Sequence, residues 1–475
     1  MLKSFIPSSL LCLLMLTTCA ISCTVPNPDY HPRKVCHSSA ECAAPTGVCN
    51  IDTGACVQCT SADSSACSVG TPICGIDYSC HRCTLHSECA SNVCRPDGSC
   101  SDGSDVAYVA QGGTGSACTQ IAPCALLSTA LELGKPLIKM AGTIADNAVI
   151  RNQNVTILAS PGTRLVNKVA NDGLQVSGSS QVSIFDLEIF GTRIFDEGAG
   201  IAMVATQSGN SATLTLDRVL VYNNYEGVRA EAGTVHILRS TFVDNGEGVS
   251  ATIGGIVNIS QSAFSYNDAA IVTRNYTGTM NISRSTVSQN SFGIEIGGGT
   301  LTVSRSMLSH NDGRAIQIEP GVTSYYVVNN FIIENGAKSS PETGGIFVAA
   351  TAANSKMEFN TIVDNLAGDG AGRSSGIQCT GKVVTPNNLI FRNTGGEGNA
   401  QVSADCNPGN SLLTAPDAPG FVGPTDYHLT ANSPPTILNV VDCPSDLEDY
   451  DGDHRPVDSK CDLGADEYRP LAASQ

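Results

Sequence analysis

The chain has 475 residues, long enough for two or more domains, and 26 Lys and Arg against 44 Asp and Glu give a net charge of −18. This acidity excludes nucleic acid and anionic membrane surfaces as general partners, because binding phosphate requires a basic surface. The 21 cysteines are too many for a reduced cytosolic protein and predict an oxidising, extracytoplasmic compartment. The lack of Trp and the 5% aromatic content weaken ring stacking as a way of binding sugars.

Residues 1–22 have the features of a signal peptide. They contain one Lys, an apolar core from Leu10 to Leu16 that is too short to span a bilayer, and small residues before Cys23. The ending AISC resembles a bacterial lipoprotein cleavage box with Cys23 as the lipidated residue, and LTTC, ending at Cys19, competes with it. Lipidation of Cys23 leaves 18 cysteines (21 − 3), an even number, whereas lipidation of Cys19 leaves 19 (21 − 2). We expect a lipoprotein anchored to the bacterial outer membrane and cell surface, with plain secretion as the alternative.

Residues 23–35 read as a linker, and residues 36–100 form three units of four cysteines each. The first cysteines of the units, at 36, 59 and 83, lie 23 and 24 residues apart (59 − 36 and 83 − 59). The units have almost no apolar core, so we expect two disulfides per unit to supply the stability. Zinc bound by the CVQC and CHRC pairs is the lesser alternative, because these pairs fall at unit junctions. The pairing within a unit stays open, and the segment is expected to act as a stalk.

Residues 101–134 read as an N-terminal cap made of a strand, a loop and a helix. Cys118 and Cys124 are expected to close the loop. The helix is predicted over about residues 123–133, with Pro123 at its start and Gly134 after its end.

A repeat of 21–23 residues runs through residues 213–321. Each unit contains short runs in which apolar and polar residues alternate, as in a strand with one buried face. A unit of this length cannot bury its own apolar face, but stacked copies can. The sequence therefore predicts an all-β fold over residues 135–400, a parallel β-helix in which each unit is one turn with three faces. One inward apolar row comprises Leu214, Val235, Val257, Met280 and Leu301.

An Asn recurs just before the third strand of each unit. Asn tolerates the left-handed conformation of a sharp bend, and stacked side-chain amides can hydrogen-bond along a ladder. We therefore assign these residues a structural role rather than a binding role. The predicted ladder comprises Asn223, Asn245, Asn267, Asn290 and Asn311, continued by Asn335, Asn365 and Asn393.

With this repeat, residues 105–468 resemble the right-handed parallel β-helix proteins of the pectate-lyase-like superfamily. Residues 401–475 read as a C-terminal cap and are similar to the ending of bacterial surface proteins called choice-of-anchor Q proteins. The similarity departs at TILNV, where AIDAG is usual, and at Cys443 and Cys461, which look like an added disulfide. Cys379 and Cys406 are expected to staple the last turns, and the tail to cover the open edge of the last turn. The matching residues are His428, Leu429, Ser433, Pro434, Asp449, Asp451, Gly452, Arg455, Pro456, Asp462, Gly464, Ala465, Glu467 and Tyr468.

The acidic stretch DLEDYDGD (446–453) suggests Ca²⁺, the one cofactor that the sequence indicates. Asp449, Asp451 and Asp453 are the candidate ligands. An EF-hand is excluded, because the twelfth position from Asp449 is Lys460 where a bidentate Glu is needed. The alternative is a capping loop whose Arg455 pairs with a carboxylate.

Four arginines occupy one row of the coil at an outward bend, with Gln261 between them. A line of guanidinium groups could grip an acidic glycan. In so acidic a protein we favour the alternative, a solvated row balanced by acids such as Asp217 and Asp244. The row comprises Arg218, Arg239, Arg284 and Arg305.

Catalytic residues are not evident in the regular turns. The family resemblance implies that a lyase would use outward acids for calcium and a basic residue as proton acceptor, and a glycosidase needs paired carboxylates. We expect a monomeric surface protein that binds a glycan or another surface without catalysis. A lyase or hydrolase of acidic polysaccharide is the alternative, and three or more carboxylates converging with Arg or Lys beside residues 323–378 would favour it. Acids whose spatial relation the sequence leaves open are Asp364, Asp369, Asp186, Glu188, Asp196 and Glu197.

Overall fold

The computed structural model describes residues 35–470 except 168–170, 192–197, 206–211, 340–341, 369–373, 396–400, 414–418, 444–446 and 458. The chain divides into two compact units, one ending at Arg82 and the other beginning at Cys83. The expected signal peptide and Cys23 lie outside the described residues, as do Asp369 and the acids at 196 and 197. Within the described ranges, no helix has the length and apolar character needed to cross a membrane.

The N-terminal compact unit contains the first two of the three four-cysteine units. In each of these units, the first cysteine bonds the third and the second bonds the fourth. These cysteines therefore form the expected disulfides and not the alternative zinc site. A short antiparallel strand pair accompanies each unit, Val48–Asn50 with Ala55–Val57 and Ile73–Cys74 with Cys80–His81. A 3₁₀ helix spans Ser39–Glu41. The disulfides are Cys36–Cys49, Cys42–Cys56, Cys59–Cys74 and Cys67–Cys80.

The third four-cysteine unit has the same pairing, Cys83–Cys94 and Cys89–Cys100, but belongs to the second compact unit. It packs against the beginning of the coil, where the Tyr108 hydroxyl donates to the Ser91 carbonyl at 2.7 Å. Its short 3₁₀ helices are His86–Glu88 and Gly103–Asp105. The apolar contact comprises Val93, Val106, Tyr108, Leu137, Leu158 and Phe185.

Three parallel sheets form the coil, and the chain visits them in turn. The first sheet contains Val106–Ala110, Leu137–Ala141, Asn154–Ala159, Gln181–Phe185, Thr213–Asp217, Thr234–Leu238, Ile256–Ser260, Thr279–Ser283, Gly299–Ser304, Val322–Val328 and Lys356–Glu358. The second contains Thr143–Ala145, Arg164–Val166, Glu188–Phe190, Leu220–Tyr222, Thr241–Val243, Ala263–Ser265, Thr286–Ser288, Met307–Ser309, Phe331–Ile333, Thr361–Val363 and Leu389–Phe391. The third contains Ala148–Arg151, Leu174–Ser177, Ala199–Met203, Glu226–Ala230, Glu247–Thr252, Ala269–Arg274, Phe292–Ile296, Ile316–Ile318, Ile346–Val348 and Ile377–Cys379.

The predicted parallel β-helix is confirmed. Like residues stack on like, because each strand pairs in register with the strand one turn away; the row that starts at Leu214 is paired in this way through to Leu301. All its members are buried in one continuous core that extends along the coil. Phe242 and Phe264 stack inside it with ring centroids 4.8 Å apart, close to the inter-strand spacing.

The asparagine ladder runs along the bend between the second and third strands. Asn290 is typical: its Nδ2 donates to the Phe264 and Ser288 carbonyls and to Asn311 Oδ1, and its Oδ1 accepts from Asn267. The assignment of Asn223 was wrong, because the ladder begins at its neighbour Asn224. The members are Asn224, Asn245, Asn267, Asn290, Asn311, Asn335, Asn365 and Asn393.

The left-handed conformation at this bend belongs to a different position from the one predicted. The residue before each ladder Asn has φ near +57°, as at Tyr266 (+56°) and Gln289 (+59°), whereas the ladder Asn is buried. The side-chain amides are therefore used for hydrogen bonds to buried backbone groups, which would otherwise be left unsatisfied.

A second ladder, which the sequence analysis missed, lines the bend between the first and second strands. Each member accepts a backbone N–H from the preceding turn, as Ser262 Oγ does from Ser240 at 3.1 Å. The arginine row supplies the left-handed residue before three of these positions, with φ of +47° at Arg239, +48° at Arg284 and +52° at Arg305. The members are Ser240, Ser262, Ser285, Ser306, Asn330, Asn360, Asn388 and Ser411.

The helix of the N-terminal cap is shorter than predicted and spans Leu127–Glu132. Residues before it are held extended, because the Cys124 N–H donates to the Tyr108 carbonyl and its carbonyl accepts from Ala110. The Cys118–Cys124 disulfide fixes the same stretch. The proline at 123 therefore precedes the helix rather than starting it.

The C-terminal region covers both the last turn and the side of the coil. Residues 401–412 continue the last turn, with Val402 bridged to Ile377 and Leu412 to Leu389. The tail then packs on the outer face of the second sheet and forms the antiparallel pair Leu447–Glu448 and His454–Arg455. Disulfides join Cys379 to Cys406 and Cys443 to Cys461. Two short parallel pairs, Leu366–Ala367 with Thr394–Gly395 and Val383–Val384 with Cys406–Asn407, complete the last turns.

Candidate functional surfaces

The arginine row lies at the outward bend, and carboxylates engage all four guanidinium groups. Arg218 Nε donates to Asp186 at 2.7 Å, and Arg239 Nε donates to Asp217 at 2.9 Å. Arg284 lies 3.8 Å from Glu448, and Arg305, which is only 12% exposed, pairs with the same carboxylate. The row is therefore not a strip of unpaired basic side chains, and the tail covers its last member, Arg305.

A polar cavity of about 470 Å³ lies beside the end of this row. Arg284 and Arg305 form one wall, and Tyr450, Asp451 and Gly452 of the tail form the other. Because carboxylates stand on the tail side, an anionic polymer would meet opposing charge here.

The outer face of the third sheet carries a network of carboxylates and arginines that the sequence analysis did not find. Arg229 contacts three acids, Asp172 at 2.8 Å, Glu226 at 2.9 Å and Glu231 at 3.3 Å. Its column continues across the strands through Ser250, Val272, Glu295, Gln317 and Phe347. Three carboxylates thus converge on an arginine, but near residues 172–231 and not beside residues 323–378.

Further along the same face the charges also occur in pairs. Arg274 Nη1 donates to Glu247 at 2.9 Å, and Arg314 lies 3.6 Å from Glu342 and over the Phe347 ring at 4.4 Å. Burial, with a contribution from the nearby Glu319 carboxylate, raises the pKa of Glu295. Among the described residues named on this face, carboxylates outnumber guanidinium groups, so the face is acidic.

Exposed aromatic side chains border this face at the bend that leads into the third sheet. Tyr225 and Phe292 are each 39% exposed, and Tyr266 is 57% exposed. Tyr225 directly precedes the strand Glu226–Ala230, whereas Phe292 begins the strand three turns later. At the usual inter-strand spacing, these rings extend over about 14 Å along the coil. The exposed faces of these rings are apolar surfaces on which an extended ligand can stack.

A cavity of about 620 Å³ lies between the third four-cysteine unit and the first turns. Its walls include His86, Asp186, Glu188 and Arg218, and Glu188 is paired with Arg164 at 2.9 Å. Burial lowers the pKa of His86, and burial also lowers the pKa of the nearby Lys139 to about 8. Asp186 and Glu188 are therefore brought to one cavity, and each is neutralised by an arginine.

The predicted calcium ligands do not converge. Asp449 is fully buried, and its carboxylate accepts the backbone N–H groups of Gly452, Asp453 and Glu467. Asp453 pairs with Arg469 at 3.3 Å, whereas Asp451 turns to His428. The three carboxylates are separated because Asp449 closes the loop through the backbone. This geometry does not favour calcium binding by the triad.

Arg455 lies buried among the carboxylates of the tail, in agreement with the alternative of a capping loop whose Arg455 pairs with a carboxylate. It is fully buried, donates to the Gly464 carbonyl at 2.9 Å, lies over the Phe359 ring at 5.0 Å and is 3.8 Å from Glu467. Burial lowers its pKa, and the surrounding carboxylates oppose that shift. Several carboxylates do converge with an arginine beside residues 323–378, but this arginine has no access to solvent.

Asp364, an acid within residues 323–378, also lies under the tail. Its carboxylate accepts from Arg392 Nε at 2.9 Å, and the Tyr427 hydroxyl shares its one hydrogen between Glu334 at 2.8 Å and Asp364 at 3.1 Å. Burial raises the pKa of Tyr427. These bonds fasten the tail to the coil and leave Asp364 engaged as an acceptor.

Comparison with known proteins agrees with the fold. The family described as right handed beta helix region matches residues 199–362, and a family of unknown function (DUF8331) matches residues 21–106. The coil is thus a right-handed parallel β-helix. No curated protein matches.

Two solved structures are similar to the chain at low identity. The crystal structure of pectate lyase Pel9A is 15% identical, with a TM-score of 0.46 over 77% of this chain and 96% of that one. The crystal structure of Dettilon tailspike protein (gp208) is 13% identical, with a TM-score of 0.33 over 66% of this chain and 69% of that one.

Proposed function

We propose that this protein is a cell-surface lipoprotein whose β-helix binds a neutral polysaccharide along the outer face of the third sheet, without catalysis. The observation that carries the proposal is the exposure of three rings, Tyr225, Tyr266 and Phe292, around the bend that leads into the polar face of the third sheet. An extended glycan lying along the coil would stack on these rings and hydrogen-bond to the paired acids and amides of the face.

The charge of the surfaces supports a neutral ligand rather than an acidic one. The arginine row is engaged by Asp186, Asp217 and Glu448, and the third sheet carries an excess of carboxylates around Arg229. An acidic polymer would have to displace these ion pairs at either surface, which costs binding energy at each one.

A non-catalytic role is supported by the same pairing. Among the described residues, Asp186, Glu188 and Asp364 each form an ion pair with an arginine. A general acid or base must be able to exchange a proton with substrate, and a carboxylate held by a guanidinium group is a poor proton acceptor.

Binding is tested with the disulfide-intact protein on a panel of neutral and acidic polysaccharides. We expect affinity for neutral glycans, and a loss of at least tenfold in a Tyr225→Ala, Tyr266→Ala, Phe292→Ala variant. Val149→Ala is the matched control, since Val149 is an exposed apolar residue on the same sheet. Equal affinity in both variants would discard the aromatic edge as the binding surface.

Catalysis is tested on the same panel with Ca²⁺ added. The readouts are reducing ends and the absorbance of unsaturated products. We expect neither to appear above the level of a heat-inactivated sample. New ends would replace the binding proposal with that of a polysaccharide lyase or hydrolase.

The lipid anchor is tested separately. The chain expressed with its own leader in a bacterial host should fractionate with the membrane, and Cys23→Ser should release it. Cys19→Ser, the competing position, should leave it in the membrane fraction. Membrane association that survives Cys23→Ser but not Cys19→Ser would reassign the lipidated residue.

A further inference from the structure

His428, Asp451 and Asp466 meet where the tail folds back on the coil. One ligand atom from each lies within 4.8 Å of the others. The three come from separate stretches of the tail, so the cluster is created by the fold and not by local sequence spacing. Asp466 is 6% exposed and Asp451 is about half exposed, which places the cluster at the edge of the buried region with one open side.

The imidazole of His428 is oriented as a ligand. Its Nδ1 lies 2.6 Å from Asp426 Oδ1, and the ring packs edge-on against Phe331 with centroids 5.1 Å apart. A carboxylate on one ring nitrogen holds the hydrogen there and leaves the lone pair on the other, which is the usual arrangement of metal-binding histidines.

The second nitrogen of His428 points into the cluster and lacks a hydrogen bond. Nε2 is buried, and among the described residues it has no hydrogen-bond partner. Asp451 Oδ2 is 3.2 Å away but outside hydrogen-bonding geometry. Asp466 receives the Leu429 N–H on Oδ2 at 2.6 Å, a bond that fixes its carboxylate beside the imidazole. Nε2 is thus a buried ring nitrogen that faces two carboxylates, one of them at ion-pair distance, without a hydrogen bond among the described residues, and this is independent of the acidity of the cluster.

We propose that His428 Nε2, Asp451 and Asp466 bind a divalent transition-metal ion of the Zn²⁺ or Mn²⁺ class. One imidazole and two carboxylates suit these ions, whereas Ca²⁺ takes oxygen ligands and usually six to eight of them. Metal–ligand distances of about 2.0–2.2 Å require the three groups to close by roughly 1 Å, and the exposed Asp451 is free to supply that movement.

Such a site would fasten three parts of the tail together. The ligands come from the stretch after Tyr427, from the loop that begins at Asp449, and from the stretch before Glu467. Binding at this point would therefore stabilise the tail on the second sheet, because the ion binds only the folded arrangement.

The test uses the full mature protein with its disulfides intact. Zn²⁺ and Mn²⁺ are titrated after treatment with a chelator, and binding is followed by calorimetry and by the shift in Tm. We expect one saturable site, a rise in Tm on adding Zn²⁺, and Ca²⁺ weaker by at least tenfold. Pulsed EPR of bound Mn²⁺ should show coupling to one imidazole nitrogen.

Asp451→Asn is the decisive variant, because Asp451 is exposed and its loss leaves the buried bonds of the tail intact. It should weaken Zn²⁺ binding at least tenfold, whereas Asp453→Asn, in the same loop and paired with Arg469, should bind within twofold of the parent. His428→Gln should abolish the nitrogen coupling. Equal weakening by the two Asp variants, or bound Mn²⁺ without nitrogen coupling, would overturn the proposal, as would the absence of saturable binding.

Discussion

The turns before residue 305 and the turns after it have the same interior but different outer faces on the second sheet. In the earlier turns the outward residues of this sheet, such as Thr241 and Val243, are half exposed. In the later turns the corresponding residues are apolar and buried, as at Phe331 and Ile333, because the tail lies on them. The inward pattern therefore determines that a coil forms, and the outward residues determine whether another segment must cover it.

The amide ladder is common to both halves, so breaking it should cost the same in each. Asn290→Ala and Asn365→Ala each remove an amide that makes hydrogen bonds to the two adjacent turns and leave buried backbone groups unpaired. We expect each to lower the free energy of unfolding by about 4–5 kcal/mol, measured by urea denaturation. Thr286→Ala, at an exposed position one strand earlier, should cost less than about 0.5 kcal/mol.

The ladder comparison has a clear failing outcome. If Asn365→Ala costs less than half as much as Asn290→Ala, the tail is compensating for the ladder and the two interiors are not equivalent. If neither alanine variant folds, Asn290→Ser and Asn365→Ser replace them in the comparison. Each serine keeps one hydrogen-bond acceptor, and the two variants should lose equal free energies of unfolding.

The arginine under the tail, Arg455, is fully buried, whereas Arg239 of the arginine row is exposed. Arg455→Met removes a fully buried guanidinium from among Asp462, Asp466 and Glu467, and leaves their charges unpaired. We expect a loss of about 4 kcal/mol and release of the tail to proteases, since breaking a buried ion pair costs roughly 3–5 kcal/mol. The measurements are urea denaturation and limited proteolysis with mapping of the first cut.

Arg239→Met is the matched variant on the exposed row. Arg239 is 53% exposed, and surface ion pairs contribute about 0–1 kcal/mol, so we expect less than 1 kcal/mol. A tail that remains protease-resistant in Arg455→Met, with stability within 1 kcal/mol of the parent, would contradict the role given to Arg455.

Much of this fold was predictable from sequence, because stacking places chemically similar residues at a constant spacing. The row from Leu214 to Leu301 and the asparagines from Asn245 to Asn311 stand in register in the sequence and in space. The second ladder was missed because it changes from serine to asparagine after Ser306, which hides one role behind two residue types.

The candidate sites were less predictable, because they depend on segments distant in sequence. The sequence favours a row balanced by nearby acids such as Asp217, but the carboxylate that pairs with Arg305 is Glu448 of the tail, more than a hundred residues later. The cluster of His428 with Asp466 likewise has no spacing signal. One usable signal was present: the runs FII, TIV and LIF at Phe331–Ile333, Thr361–Val363 and Leu389–Phe391 have apolar residues at every outward position except Thr361, which predicts a cover.

The cover itself can be tested at one strand position in both regions. Ile333→Ala removes an outward side chain that is 4% exposed under the tail, and should cost about 3 kcal/mol. Val243→Ala, at the same position of an uncovered strand, should cost about 1 kcal/mol or less. Urea denaturation gives both values, and equal losses would show that the tail adds no packing energy at Ile333.

The opposite end of the coil has its own cover, the third four-cysteine unit, and a buried cation, Lys139, lies on the strand next to it. Lys139 is 6% exposed, and among the described residues its ammonium group has no hydrogen-bond partner. Burial lowers its pKa from 10.5 to about 8, so the charged form destabilises the folded state. Lys139→Met should therefore raise the free energy of unfolding by about 2 kcal/mol at pH 7, measured by urea denaturation.

The pH dependence of that gain separates a charge effect from a packing effect. Between pH 8 and pH 10.5 the unfolded chain binds more protons at Lys139 than the folded one, so the stability of the parent rises with pH in this window. The advantage of Lys139→Met should thus be constant below pH 8 and shrink towards zero by about pH 10.5. Lys382→Met, at an exposed lysine, should change stability by less than about 0.5 kcal/mol at either pH. An advantage of Lys139→Met that persists unchanged at pH 10.5 would assign it to packing against Leu158 and Tyr108, and the cost of the buried charge would then be absent.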